Sequence, residues 1–523
     1  MDHSTRGQEL PEQFVSNVHT WPLEASDRAA FLASFADDYH RGLRLNHPAS
    51  DTLLSSMAKR QGHSEAWPQA SDRIPWAPAA YAIPDTMQPG TDPAHVAGLY
   101  YLQEPSAMLP AQVLAAQPGE LVLDMCAAPG GKTSQIARDL QGQGLLIAND
   151  ISERRALVLR RNVEQLGLPN VQVTVEAPEE LADRWGASFD AILLDAPCSG
   201  EGMFRRDPQA IPSWAEYGPA SSMTAQAQLL RDAARLLKPG GRLVYSTCTF
   251  NPEENEQQLA AFLQEHPDFE VQRPELASRQ GIRGGLALEG LGYDPADVLR
   301  IWPQDGQGEG HFCALLVRCS ADTHDAELAR DPEWLRIGRK PYSAAPPKQR
   351  KWTRGPRDDK PTLAAAEAEL RAFIQQYMTE EGQARFHQHY RYLRLSGRHI
   401  QLLPVPGLSL EGLQVLKFGL HAGELKGRGD RLSLVPAHNF LLALDPDSWR
   451  YALRWSLDDE RITRVLKGET LMPDDRDEAV LERSQDELGQ AAYYPLLADG
   501  LPFTWLKRQG SQLKNLFPPG WRR

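Results

Sequence analysis

The stretch Leu193-Leu194-Asp195-Ala196-Pro197-Cys198-Ser199-Gly200 decides how this chain is read, together with Tyr245-Ser246-Thr247-Cys248-Thr249. Each is a short apolar run that ends in a polar cluster holding one cysteine. In an open α/β sheet, reactive groups collect at the carboxyl ends of strands, where the chain turns out over the ligand crevice. Two thiols and a carboxylate carried there by separate strands can meet at one point. A thiolate is both a strong nucleophile and a tolerable leaving group, which suits reversible addition to an electron-poor ring carbon. The plainer reading is packing, because an unpaired cysteine is among the most buried residue types. One strand-end cysteine favours packing; two in paired contexts favour chemistry.

Outward from these runs, residues from about 105 to 319 alternate short apolar segments with amphipathic helices. Leu121–Met125, Leu145–Asn149, Val171–Val175, Ala191–Leu194 and Arg242–Thr247 are predicted strands. Lys132–Leu140, Ser152–Leu166 and Thr224–Leu237 are the helices between them. The alternation predicts an α/β fold with a parallel, Rossmann-like sheet. Phe312–Arg318 and Val298–Trp302 are expected to pair as an antiparallel edge.

The chain's 523 residues exceed one core and predict several domains. The expected division is 1–104, a small N-terminal α/β unit; 105–320, the Rossmann-like domain; 321–378, a basic linker and helix; and 379–523, a mixed or β-barrel-like domain. In the first unit a helix opens at Leu10–Phe14, Ser26 is the expected N-cap of a second, and Arg41–Asn46 closes that helix as a basic turn. The Trp- and Pro-rich stretch from Trp67 to Pro84 is expected to lie extended, its Trp side chains packed. Thr362–Tyr377 reads as a helix. Tyr392–Leu395, Ile400–Leu403, Leu413–Leu420, Leu432–Leu434, Phe440–Leu444 and Tyr451–Trp455 read as strands.

Composition narrows the function. The five cysteines (126, 198, 248, 313 and 319) include no CxxC pair, so neither a disulfide framework nor a metal site is expected. No apolar run is long enough for a membrane span and the start lacks a signal-peptide core, so a soluble, cytoplasmic protein is expected. The net charge of −13 argues against a uniformly basic nucleic-acid coat. Charge is nevertheless segregated: residues 336–360 hold nine basic against two acidic side chains, and the tail from Lys507 to Arg523 carries five basic residues with Phe517 and Trp521. Both suit a phosphate backbone, and both suit a mere tether or tail.

Asp124-Met125-Cys126-Ala127-Ala128-Pro129-Gly130-Gly131-Lys132-Thr133 follows the first strand and opens a helix. It looks like a phosphate loop, but that motif needs Gly where Cys126 stands. Small residues here let the backbone pass close to a ligand, with helix N–H groups facing it. Asp150 follows at the end of the next strand, where an acid accepts from ribose hydroxyls. Together they indicate an adenosine-containing cofactor, without separating NAD from S-adenosylmethionine.

Cys126–Lys132, Asp195–Gly200, Tyr245–Thr249 and Asn251-Pro252-Glu253-Glu254-Asn255-Glu256, in this order and spacing, resemble the Sun-family RNA cytosine-C5 methyltransferases. Asp195–Arg205, the N-terminal unit and the C-terminal extension are similar to the bacterial RsmF-type 16S rRNA branch. The resemblance implies S-adenosylmethionine held by Cys126, Ala127, Ala128, Pro129, Gly130, Gly131, Lys132, Asp150 and Asp195. It also implies Cys248 as nucleophile and Cys198 as helper, with 16S rRNA or the small ribosomal subunit as partner and a monomeric enzyme. Glu176 stands where the wider family has Asp, at the adenine edge. A tRNA cytosine methyltransferase and a non-catalytic, RNA-binding assembly factor remain the alternatives at this point.

Overall fold

A parallel sheet needs apolar strands covered on both faces, and the computed structural model, which describes residues 9–46, 51–63, 67–306, 308–319, 335–336, 361–427, 431–489 and 492–522, is built around one. Its strands are β1 (Leu121–Asp124), β2 (Leu145–Asn149), β3 (Val171–Thr174), β4 (Phe189–Asp195), β5 (Leu237–Thr247), β6 (Phe269–Gln272), β7 (Leu299–Ile301), β8 (His311–Arg318) and β9 (Val415–Lys417). They lie in the order β6-β8-β5-β4-β1-β2-β3-β9, with β7 pairing β8. β1 to β5 are mutually parallel, and β8 runs antiparallel to β5. The chain goes from β1 out to β2 and β3, then returns to place β4 on the other side of β1. The β1/β4 gap is therefore the switch point over which a ligand crevice opens. The expected antiparallel pair of Val298–Trp302 and Phe312–Arg318 forms as β7 and β8.

β9 comes from far down the sequence. It adds antiparallel to β3 at the sheet edge, and the buried Lys417 side chain donates to the carbonyls of Leu168, Val171 and Gly419 at 3.2, 3.1 and 2.7 Å. Burial brings its pKa down to about 8. A sheet edge with unpaired backbone groups is thereby covered from within the chain.

The N-terminal helices Glu12–Thr20 and Ala25–Ser34 place Phe14, Val18, Trp21 and Phe31 against Phe204, Trp214, Phe250 and Trp302. Fully burying each such ring contributes roughly 1.5–3 kcal/mol, so this unit is welded to the loops that follow β4 and β5. Two expectations are corrected here. Ser26 is not the cap, since the second helix already starts at Ala25 with Glu24 before it. Arg41–Asn46 is not a turn: Gly42–Leu45 is the central strand of an antiparallel sheet with Ala77–Ala82 and Tyr100–Leu102. Arg44 is buried in that strand and donates to Ser134 Oγ at 2.5 Å. A buried arginine with a partner in another domain looks like a basic turn when only local sequence is read. Trp67 and Trp76 are packed, as expected.

The helix Leu363–Tyr377, grouped with the linker by sequence, buries Ala366, Leu370, Phe373 and Ile374 in one core with the C-terminal strands and the N-terminal sheet. The C-terminal region holds two sheets, one running through Tyr392–Ser396, His399–Leu403, Leu420–Lys426 and Ser433–Pro436, the other through Leu453–Trp455, Tyr493–Ala498, Leu501–Gln509 and Gln512–Asn515. Leu413–Leu420 divides between β9 and the first of these. Phe440–Leu444 is corrected from strand to helix (His438–Leu442). Its continuous apolar run fits either state, and burial of Asn439 through Leu442 on all sides removes the amphipathic signal. Residues 337–360, the basic strap, lie outside the described residues.

Candidate active site

β4 and β5 are parallel neighbours in a register that sets Asp195 beside Ser246. The same register carries Cys198 and Cys248 out of adjacent strand ends, and their Sγ atoms stand 3.4 Å apart. Ser199 Oγ and Thr249 Oγ1, one residue on, share a hydrogen bond of 2.8 Å. The two loops run side by side, and both thiols are half-buried.

Asp195 closes the group. Its Oδ1 accepts from Ser246 Oγ at 2.8 Å, and its Oδ2 accepts from Lys132 Nζ at 2.7 Å. His311 Nε2, at the start of β8, lies 3.5 Å from Oδ1. Burial acts to raise the carboxyl, but the Lys132 ammonium and His311 outweigh it and hold Asp195 well below the usual carboxylate range. Burial likewise works against the Lys132 ammonium, and the Asp195 charge carries its pKa above the ordinary lysine value. Asp195 is thus an ionised acceptor, paired with a cation.

The loop Cys126–Lys132 leaves β1 and enters the helix Gly131–Asp139. Gly130 has φ +109°, and a Cβ there would meet Leu159 Cδ1 at 2.9 Å, so only glycine fits. Thr133 donates to Asp124 Oδ2 at 2.6 Å, whereas the buried Asp124 Oδ1 has no partner. Burial raises this carboxyl to about 7. A cleft of about 500 Å³ opens here, lined among others by Tyr101, Gln103, Asp124, Cys126, Lys132 and Asp195. An orphaned acidic acceptor beside a small-residue loop fits a ligand with a cationic amino group. S-adenosylmethionine has one, so the residues fit that cofactor.

Two further expected residues sit differently. Asp150 lies at the end of β2 with its side chain 2% exposed. It accepts from the N–H groups of Ala128 at 3.2 Å and Ser152 at 3.0 Å, and Arg155 stands 3.4 Å away. It therefore ties the loop to the second strand. The Glu176 carboxylate accepts from the N–H of Gln414, just before β9, and so braces the C-terminal segment.

Sequence reasoning missed Ser246, His311 and Gln226, and gave Glu254 no role. Glu254 accepts from Ser199 N–H at 2.9 Å, Ser199 Oγ at 2.5 Å and Gln226 Nε2 at 3.0 Å. Ser246 and Glu254 stood inside quoted motifs, where a polar residue beside a strand-end cysteine was the available signal. His311 had none, because only the β5/β8 pairing brings it in. Among the described residues, no group of three His, Cys, Asp or Glu side chains could hold a metal ion, and no helix is long and apolar enough to cross a membrane.

Family models match three parts of the chain: 16S rRNA methyltransferase RsmB/F over residues 111–317, the N-terminal domain of 16S rRNA methyltransferase RsmF over 10–105, and the methyltransferase RsmF PUA domain over 452–523. The ribosomal RNA small subunit methyltransferase F of Aliivibrio fischeri (strain MJ11) is 32% identical over 383 residues, covering 72% of this chain and 74% of that one. The protein of the same name from Aliivibrio salmonicida (strain LFI1238) is 34% identical over 347 residues, covering 65% and 69%. Among solved structures, NSun6 from Pyrococcus horikoshii with SFG matches 60% of this chain and 99% of that one, with a TM-score of 0.50 at 21% identity, which is a likeness of fold.

Proposed function

Since the chain belongs to the RsmF-type small-subunit rRNA methyltransferases, which use S-adenosylmethionine, we propose that it methylates carbon 5 of specific cytidines in 16S rRNA through a covalent adduct to Cys248. The observation that carries this reading is the pair of thiols 3.4 Å apart beside the ionised Asp195. A binding factor has no use for such a pair.

Cytosine C5 is a poor nucleophile until something adds at C6. The Cys248 thiolate adds there, forming an S–C6 bond and moving the C5–C6 electron pair into the ring. Ionised Asp195 accepts from the N4 amino group, and the Lys132 ammonium offsets charge developing at N3. Bound S-adenosylmethionine supplies an electrophilic sulfonium methyl. Once C5 carries the methyl, Cys198 as thiolate takes the C5 proton, the C5–C6 double bond reforms, and Cys248 leaves as thiolate. Cys126–Lys132 and Asp124 hold the cofactor in this reading, with Asp150 fixing the loop. The base must first be exposed from folded RNA, and the PUA domain supplies an RNA-binding surface.

Bisulfite sequencing of ribosomal and transfer RNA from a deletion strain tests the substrate. Loss of methylation confined to 16S cytidines is expected; loss in tRNA alone, or none, overturns the proposal. A denaturing gel tests the adduct. Cys198→Ala should trap RNA on the protein, and Cys248→Ala should not; the reverse pattern exchanges their roles.

A further inference from the structure

Two hydrogen-bonded thiols 3.4 Å apart are chemically alike, and something must decide which ionises first. The sulfur pair is flanked asymmetrically. On the Cys248 side stands the Lys132 ammonium, which interacts electrostatically with that thiol. On the Cys198 side stands the Glu254 carboxylate, fully buried and built into the loop. Gln226 Nε2 donates to both Pro197 O and Glu254 Oε1 at 3.0 Å, and Ser199 donates to Glu254 with its N–H and its hydroxyl. Of the two neighbours of Cys198, Ser199 is therefore held by the carboxylate directly and Pro197 through Gln226. Tyr245, on β5, donates to the Glu254 carbonyl at 2.6 Å, which fixes this anchor to the strand of Cys248. Around Glu254 lie Ser199 and Cys198 from the β4 loop, Gln226 from the helix Ala220–Leu236, Tyr245 and Thr249 from β5 and its loop, and Glu201. None of these neighbours is a cation.

We infer that Glu254 is a positioning residue that assigns the thiol roles, keeping Cys198 protonated until Cys248 is bonded to C6. This rests on the reading of Cys248 as nucleophile. The hydrogen bond that Cys198 donates to Cys248, burial, and then the charges of Cys248 and Glu254 all push the Cys198 thiol upward. When Cys248 becomes a neutral thioether, its hydrogen bond and charge no longer act on Cys198. Cys198 then loses its proton to solvent, takes the C5 proton, and expels Cys248 as thiolate. One proton is released per methyl group transferred. The remaining Glu254 charge makes the Cys198 thiolate a stronger base, which suits it to proton removal from carbon.

The test uses full-length protein without RNA, so it does not depend on turnover. Initial rates of iodoacetamide alkylation at each cysteine are read by peptide mass spectrometry in a Cys248→Ala background, which removes the coupling between the sulfurs. Adding Glu254→Gln should accelerate alkylation of Cys198 about tenfold at neutral pH, the effect of one pKa unit. Glu254→Asp, which keeps the charge, should leave it slow. Unchanged Cys198 rates in the Gln variant overturn the inference. Equal acceleration by Gln and Asp also overturns it, since that reports a loosened loop. Should Glu254→Gln fail to fold, Gln226→Met in the same background decides: it loosens the anchor and keeps the charge, so Cys198 alkylation must stay slow, and a rise of about tenfold overturns the inference. Failure of the adduct gel with the expected alkylation behaviour would instead remove the nucleophile reading and the assignment of thiol roles with it, leaving only the effect of Glu254 on the Cys198 thiol.

Discussion

Replacing Arg300 with Met should weaken the whole active-site framework without touching a reacting group. Arg300 lies in β7 and Glu256 opens the helix Glu256–Glu265; their side chains are 2% and 0% exposed. Arg300 Nε and Nη2 donate to the two Glu256 oxygens at 2.7 and 2.6 Å, and Nη1 donates to Phe250 O at 3.0 Å. Leu286 N–H also ends on Glu256, at 2.9 Å. Phe250 and Glu256 bracket the segment that fixes Cys248, since Asn255 holds Thr247 Oγ1 at 2.5 Å and Thr249 O at 2.9 Å. Arg300→Met leaves a buried carboxylate without its cation, a loss of about 3–5 kcal/mol. For a domain of this size that corresponds to a fall in Tm on the order of 10 °C. Calorimetry at one scan rate and fixed protein concentration measures it. The double variant Arg300→Met/Glu256→Gln should recover at least half of the loss, because the stranded charge is gone. A fall under about 2 °C in the single variant, less than 1 kcal/mol on the same scale, would show that the pair carries no such load.

Three other outcomes are expected. Burial raises the Glu201 carboxyl from 4.5 to about 7, so the folded protein keeps a proton that the unfolded chain has released between those values. Its stabilising contribution is full below pH 4.5 and is lost as pH rises through about 7; Glu201→Gln should flatten the urea midpoint across this window, and identical slopes would refute the assignment. Asp150→Ala should weaken S-adenosylmethionine binding several-fold in calorimetry by freeing the Ala128 N–H and the loop, with RNA affinity unchanged; unaltered cofactor affinity removes Asp150 from the site. Lys514→Ala, on the exposed face of a PUA strand, should lower the slope of log affinity for 16S rRNA against log salt by about 0.7–0.9, the value of one phosphate contact. An unchanged slope would put that face outside the RNA interface.

The parts of this protein legible in its sequence are those with a local cause. Apolar runs of strand length separated by amphipathic helices specify β1 to β5, and their carboxyl ends are where polar residues must gather. Asp195, Cys198 and Cys248 could therefore be placed near one another before any coordinates, as could the Cys126–Lys132 loop with the glycine that its left-handed backbone demands. Where periodicity was absent or shared between states, reading failed: Phe440–Leu444 folded as a helix, and Arg41–Asn46 as a strand.

What only the tertiary structure decided are pairings across long sequence separations. Lys132 and Asp195 are 63 residues apart and meet as an ion pair; Ser199 and Glu254, 55 apart, share two hydrogen bonds. β9 joins the sheet edge at β3, 241 residues from its partner if counted from Thr174 to Val415. Nothing in a local pattern encodes such contacts, because a buried charge or an uncovered strand edge states only that a partner is required. Which partner satisfies it depends on how the helices and sheets pack. That packing turned a conventional-looking Glu254 into the anchor of one thiol, and a basic residue of the loop, Lys132, into the counter-charge of Asp195.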